Sequence, residues 1–202
     1  MDKKKFEQYM EFFLQENAKL NLISKNDEKF LWEKHIFDSL SISNFFERFG
    51  ITDLEGKTLL DIGTGGGFPA VPLAINYPQL KVTALDSIRK KINAIQEIKT
   101  GLGLENLNVI CDRAENLKRQ KYDFITSRAV AALKILVPYA IPLLKNDGYF
   151  IAYKSVKVND EIKEAEHFLK KFNAEIKTVI PYDLPLEENY TRNLVIIQKS
   201  KV

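Results

Sequence analysis

The chain has 202 residues, 45% of them hydrophobic and 28% charged, enough for one substantial core and too few for two. A net charge of +3 alone says little about partners, and a single cysteine, Cys111, excludes an intrachain disulfide and a cysteine-built metal cluster. No apolar run approaches a membrane span, so a protein of the cytoplasm is expected, with no membrane partner.

Phe6, Tyr9, Met10, Phe13, Leu14 and Asn17 recur at helical spacing, as do Trp32, Ile36, Phe37 and Leu40 after a break at residues 24–27. Two or three amphipathic helices are therefore predicted over residues 1–56, with the aromatic stripe as a packing face. His35 stands three residues before Asp38 on the second of them, where a capping or interhelical hydrogen bond is the expected use of its ring. This extension holds eight Lys or Arg against eleven Asp or Glu, a net −3 that leaves +6 for residues 57–202. The basic groups of that larger part cluster at Arg89, Lys90 and Lys91, at Lys118, Arg119 and Lys121, and at Lys154 and Lys157. Such clusters suit the phosphates of a polyanion, or solvated helix faces.

The stretch TLLDIGTGGGFPAVPLAI, residues 58–75, reads as a strand, a glycine turn and a helix start. Asp61 ends the apolar run, and Gly63, Gly65, Gly66 and Gly67 follow, so backbone is free to approach a ligand. Pro72 suits an early turn of the helix. A dinucleotide fingerprint would need glycine where Phe68 stands. The spacing Asp61-x-Gly63-x-Gly65-x-Gly67 instead resembles motif I of the class I methyltransferases that use S-adenosylmethionine.

Strand and helix then alternate. LKVTALD (80–86) precedes a helical SIRKKINAIQEIKTGLG, LNVICD (107–112) precedes RAENLKRQ, YDFITSRA (122–129) precedes AALKILVPYAIPLLKN, and GYFIAYKS (148–155) precedes NDEIKEAEHFLKKF. Four βα units after the first predict a parallel sheet with helices on both faces. AEIKTVIPYDL and RNLVIIQKS are joined by a linker too short for a crossover helix, so they pair antiparallel at the sheet edge. The expected fold is thus α/β, a seven-stranded, mostly parallel sheet with an antiparallel last strand, in which an N-terminal extension (1–56) and a core (57–202) make one compact domain.

Ligands of open α/β sheets bind beyond the carboxyl ends of the strands. Asp86 closes the second strand 19 residues after Gly67, where an acid accepts from ribose hydroxyls or caps the next helix, a task Ser87 could share. Ala114 and Glu115, after the third strand, suit an adenine edge. Arg128, flanked by small residues at the end of an apolar strand, is the least surface-like arginine, and arginine is rarely buried without a partner.

Taken together, DIGTGGGFPAVPLAI, LDSIRKKI, RAE, SRAVAAL and YK, preceded by NLISKN and KHIFDSL and closed by RNLVIIQK, resemble the RsmG (GidB) family of bacterial small-subunit ribosomal RNA methyltransferases over nearly the whole chain. The resemblance implies a class I, Rossmann-like methyltransferase that transfers a methyl group from S-adenosylmethionine to N7 of a guanine in 16S rRNA, free or in the small subunit. It implies a cofactor site at Asp61, Gly63, Gly65, Gly67, Phe68, Asp86, Ala114, Glu115 and Arg128, with Arg128 also serving the active site. Arg89, Lys90, Lys91, Lys154 and Arg192 become RNA-binding candidates, through phosphate contact or stacking on a splayed base. Ser155 and Asn193 stand where the family has Gly and His. Guanine N7 carries a lone pair and no proton, so alignment rather than a general base or a metal is required, and the enzyme is expected to act as a monomer. Two rival readings stay open: a methyltransferase of a small metabolite, and a cofactor-binding module without catalysis.

Overall fold

The computed structural model describes residues 1–117, 120–156, 158–188 and 190–200; Lys118, Arg119 and Lys157 of the predicted basic clusters lie outside them. Seven strands, β1 (Thr58–Ile62), β2 (Lys81–Asp86), β3 (Leu107–Cys111), β4 (Tyr122–Arg128), β5 (Leu144–Lys154), β6 (Ala174–Leu184) and β7 (Tyr190–Lys199), form one sheet in the order β3-β2-β1-β4-β5-β7-β6. Pairing is parallel from β3 through β5, and β7 runs antiparallel to both of its neighbours, as the short 185–189 linker dictates. Strand order reverses between β1 and β4, which is where a crevice opens at the carboxyl ends.

Alternation along each strand divides the core in two. Leu59, Val82, Ala84, Phe124 and Ile151 face one side of the sheet, and Leu60, Leu85, Ile125, Phe150 and Ala152 the other. The first side is covered by α5 (Ala70–Asn76) and α6 (Arg89–Leu102) together with the whole N-terminal segment: α1 (Lys3–Leu20), the short α2 (Lys25–Glu28), a π-helical stretch Leu31–Phe37 running into α3 (Asp38–Leu40), and α4 (Ser43–Arg48). Phe13 packs against Phe68 with ring centroids 5.0 Å apart, and Phe45 and Phe46 meet Phe124 of β4 edge-on. The predicted aromatic stripe is therefore a packing face, with Phe6, Tyr9 and Phe13 fully buried and Leu14 and Phe37 turned outward. The second side is covered by α7 (Leu133–Ala140) and α8 (Val158–Lys171).

Three expectations fail locally. RAENLKRQ supplies no crossover helix among its described residues, only a single 3₁₀ turn at Ala114–Asn116. AALKILVPYAIPLLKN breaks after Ala140 into a 3₁₀ turn at Ile141–Leu143, since Pro142 leaves no N–H to continue the helix. β5 then starts at Leu144, four residues before the predicted strand, because Leu144 pairs with Tyr122 and the polar Lys145-Asn146-Asp147 are taken up in a bulge before Tyr149 pairs with Phe124.

Candidate functional site

A cleft of about 610 Å³ opens over the carboxyl ends of β1 to β4. Its floor is the glycine turn. The N–H groups of Gly63 and Thr64 both donate to Leu85 O at 2.9 Å, which ties the turn to the neighbouring strand. Asp86 completes the tie: Oδ2 accepts from Gly65 N at 3.0 Å and Oδ1 from Ile88 N at 2.9 Å. One carboxylate thus braces the glycine turn and starts the next helix, and the predicted help from Ser87 is not used, since Ile88 occupies the cap position with no side-chain capping bond. A carboxylate has about four acceptor directions, so Asp86 keeps capacity for a ligand's hydroxyls.

Gly63, Gly65, Phe68, Asp86, Ala114, Glu115 and Arg128 all line the cleft, as does Lys91 at its mouth. Gly65 adopts φ +58, and a Cβ there would project into open space with Gly63 O as its nearest neighbour at 3.9 Å. Gly67 is different. It does not line the cleft, and a Cβ at its φ of +93 would lie 2.8 Å from Val71, so helix packing requires this glycine. Asp61 also stands behind the wall, fully buried, with Thr126 Oγ1 donating to its Oδ1 at 2.9 Å. Burial pushes its carboxyl up to about 6, against the opposing pull of that hydroxyl and of Arg128.

Arg128 closes the far wall. Its Nη1 donates to Asp38 Oδ2 at 2.8 Å and to Lys34 O at 3.1 Å, its Nη2 to His35 Nδ1 at 3.0 Å, and its guanidinium sits 5.2 Å from the Phe68 ring centre. Asp38, with no solvent exposure, also accepts from Tyr182 OH at 2.6 Å, while Arg192 approaches to 3.7 Å. The buried arginine has its partner, and the partner comes from the N-terminal segment. A guanidinium only donates, so His35 accepts at Nδ1 and carries its hydrogen on Nε2, which is buried without a partner among the described residues. His35 therefore makes a helix-to-strand bond rather than the expected cap or interhelical one. Burial first, and then Arg128 and Lys34, hold its imidazole down at about 4, although Asp27 and Asp38 pull the other way.

Of the five RNA-binding candidates, Arg89 and Lys90 are exposed beside the cleft and Lys91 lies at its mouth. Lys154 and Arg192 are elsewhere. Lys154, 10% exposed, pairs with Glu161 at 2.7 Å and donates to Ala131 O at 2.6 Å, and Arg192 turns inward to Asp38. Ser155 and Asn193, the two positions that depart from the family pattern, meet each other, Asn193 Nδ2 donating to Ser155 O at 3.1 Å. Sequence reading missed Asn17, buried on α1, which accepts from Ile23 N at 2.8 Å and donates to Glu28 at 2.7 Å, and so fixes the lip formed by Leu22, Ile23 and Ser24. Its polar side chain inside an aromatic stripe was the available signal. Among the described residues no group of three or more His, Cys, Asp or Glu is placed to hold a metal, and no helix is long and apolar enough to cross a membrane.

The profile of the GidB family, described as rRNA small subunit methyltransferase G, matches residues 2–194. The chain belongs to this family. It is 38% identical to ribosomal RNA small subunit methyltransferase G of Bacillus licheniformis over 96% of the chain and 81% of that protein, and 37% identical to the Staphylococcus epidermidis enzyme of the same name over 98% and 82%. The ribosomal protein L11 methylase of Lactobacillus delbrueckii subsp. bulgaricus has the same fold, with a TM-score of 0.59, 16% identity, and coverage of 81% of this chain and 79% of that one. The chain is accordingly an S-adenosylmethionine-dependent methyltransferase in the class I, Rossmann-like fold.

Two predictions follow from the wall. Replacing Arg128 with Ala leaves Asp38 buried without its cation, which costs about 3–5 kcal/mol when one partner of a buried pair is removed; urea unfolding should show that loss, and a stability within about 1 kcal/mol of wild type would contradict the pairing. Asp61 and His35 give opposed pH dependences. The Asp61 carboxyl is raised from 3.8 to about 6, so its favourable contribution is complete below 3.8 and is lost as pH rises to about 6. The His35 imidazole is lowered from 6.5 to about 4, so its contribution is complete above 6.5 and is lost as pH falls to about 4. Urea midpoints of Asp61→Asn should therefore gain a limb that rises between pH 4 and 6.5, and those of His35→Gln a limb that falls from pH 4 to 6. Curves parallel to wild type in both variants would refute the two assignments.

Proposed function

We propose that the chain transfers a methyl group from S-adenosylmethionine to N7 of a guanine in 16S rRNA. The observation that carries this reading is that the family match spans every residue lining the cleft, from Leu22 to Tyr139. The residues suit the cofactor. The volume falls within the range of about 300–1,000 Å³ that holds small ligands, and Gly65 leaves open the space that any side chain would fill.

When bound, the cofactor supplies an electrophilic methyl group, and N7 offers an in-plane lone pair with no proton to remove. The chain's own task is then to bind and to orient. Asp86 holds the glycine turn open and has acceptor sites left for ribose hydroxyls; Ala114 and Glu115 stand over the next strand end for the adenine edge. Phe68 and Gly63 line the path between them and Arg128. Arg128 holds that wall upright by tying β4 to Lys34, His35 and Asp38, so its part in catalysis is placement of the far wall more than stacking on the base, one face being taken by Phe68. His35, held neutral with its free lone pair given to Arg128, keeps a second positive charge away from the incoming sulfonium. Arg89, Lys90 and Lys91, joined by the exposed Arg113, offer the RNA backbone a positive rim. Residues 1–56 work as an extension fixed on the 57–202 core, because Phe13, Phe45 and Asp38 are all buried against core elements. On this reading the protein acts as a monomer in the cytoplasm, on 16S rRNA or the small subunit that contains it.

Mapping N7-methylguanine in 16S rRNA from cells with and without this gene should show one modified guanine lost in its absence; identical maps would overturn the reading. Calorimetry on Gly65→Val should show S-adenosylmethionine binding weakened at least tenfold, about 1.4 kcal/mol or more, with the far-ultraviolet circular dichroism retained. Unchanged affinity would remove the glycine turn from the cofactor site.

A further inference from the structure

The segment Ala129–Ala132 between β4 and α7 is held more firmly than a loop needs to be. At its entry Arg128 is fixed by Asp38, Lys34 and His35. At its exit Lys154 Nζ, almost wholly buried at 10% exposure, donates to Ala131 O at 2.6 Å, and its ion-pair partner Glu161 accepts from Leu133 N at 3.0 Å. Between the two anchors Ala129 is driven to φ +56, a left-handed conformation that a residue with a β-carbon adopts only under strain. The side chain presented by this arrangement is Val130, 45% exposed yet lying against the glycine turn, its Cγ2 only 2.5 Å from where a Cβ on Gly63 would be. Val130, Ile135 and Ala131 all line the cleft. A desolvated lysine, a paired carboxylate and a left-handed alanine are thus arranged to fix one exposed aliphatic group beside Gly63.

We propose that Ala129–Ala132 is a fixed wall against which the acceptor purine is seated, with Val130 touching the base and Lys154 acting as a positioning residue through Ala131 and Glu161. The inference rests on the methyltransferase reading above and gives Lys154 a role other than phosphate contact. An aliphatic side chain offers a flat purine van der Waals support and no competing proton donor or acceptor, which suits a nucleophile whose lone pair must stay free. The anchor at the exit is built from groups outside the cleft. Lys154 lies behind the loop and does not line the cleft.

The test is single-turnover methylation of small ribosomal subunits isolated from cells lacking this gene, with subunit and S-adenosylmethionine affinities measured separately. Lys154→Met and Val130→Ala should each slow the rate at saturating subunit by tenfold or more. Affinity for S-adenosylmethionine in Lys154→Met should stay within twofold of wild type, and subunit affinity should keep its value and its salt dependence. Because Lys154 acts through the wall, the double variant should be no slower than the worse single one. Glu161→Gln keeps an acceptor for Leu133 N but removes the ion pair, so a smaller loss, three- to tenfold, should be seen, and this variant tests the wall if Lys154→Met unfolds. A Lys154→Met protein with a wild-type saturated rate and weakened, less salt-sensitive subunit binding would make Lys154 a phosphate contact and overturn the proposal. Multiplicative losses in the double variant would overturn it as well. Wild-type protein inactive on these subunits would defeat both this proposal and the reading it rests on, whereas an active wild type with an unaffected Glu161→Gln and Val130→Ala would defeat the wall alone.

Discussion

The buried pair of Arg128 and Asp38 is the contact on which the rest of the arrangement depends. Asp38 is wholly removed from solvent, and such a carboxylate is tolerated only when its acceptor sites are filled. Arg128 fills one from β4 and Tyr182 another from β6, while Tyr153 of β5 donates to the neighbouring Ser39 O at 2.7 Å. Three strands therefore converge on one short helical segment. The π-helical stretch that precedes Asp38 contributes Lys34 O to the same guanidinium, and departures from α-helical bonding of this kind expose carbonyls to outside donors. The N-terminal segment is held by specific charge and hydrogen bonding as well as by its aromatic stripe. An apolar face alone would permit sliding; the buried pair fixes one register.

The strands were legible because alternation and short glycine-bearing turns are local properties of the chain. β1, β2, β3 and β4 begin and end within a residue or so of the apolar runs that predicted them, and the absence of room for a crossover helix was enough to make β7 antiparallel. RAENLKRQ misled because good helix formers say nothing about whether tertiary space exists for a helix. The early start of β5 was hidden for the converse reason, since Lys145, Asn146 and Asp147 are poor strand formers carried in a bulge between the paired Leu144 and Tyr149.

The wall of the cleft was half legible. Position after a strand end identified Asp86, Ala114, Glu115 and Arg128, all of which line the cleft. What such reasoning lacks is the direction of approach. Gly67 has a glycine's reason to be there, but the group that comes close is Val71 and not a ligand. Lys154 and Arg192 read as cations available to RNA because sequence gives no sign of Glu161 or Asp38 as their neighbours. Asp38 itself was seen only as a possible companion of His35. Long-range pairing of charges is the part of a site that a single sequence does not display.

The electrostatics of the cleft suggest why those pairings matter to the chemistry. On the proposed cofactor placement a methyl sulfonium would enter beside Arg128, and an unpaired guanidinium in that wall would oppose it. Here the charge of Arg128 is answered by Asp38 at 2.8 Å, and the adjacent imidazole is kept neutral by burial and by Arg128 itself. The same guanidinium also faces the buried Asp61 behind the glycine turn, whose carboxyl is pushed up to about 6 by desolvation. On the proposed placement the charge of Arg128 is answered where a cation would sit, while the positive charge of Arg89, Lys90 and Lys91 lies outside, where a phosphate backbone would run. Separating the two would keep the field that attracts RNA from acting against the cofactor, and that separation depends on the N-terminal segment, because the carboxylate that answers Arg128 is carried there.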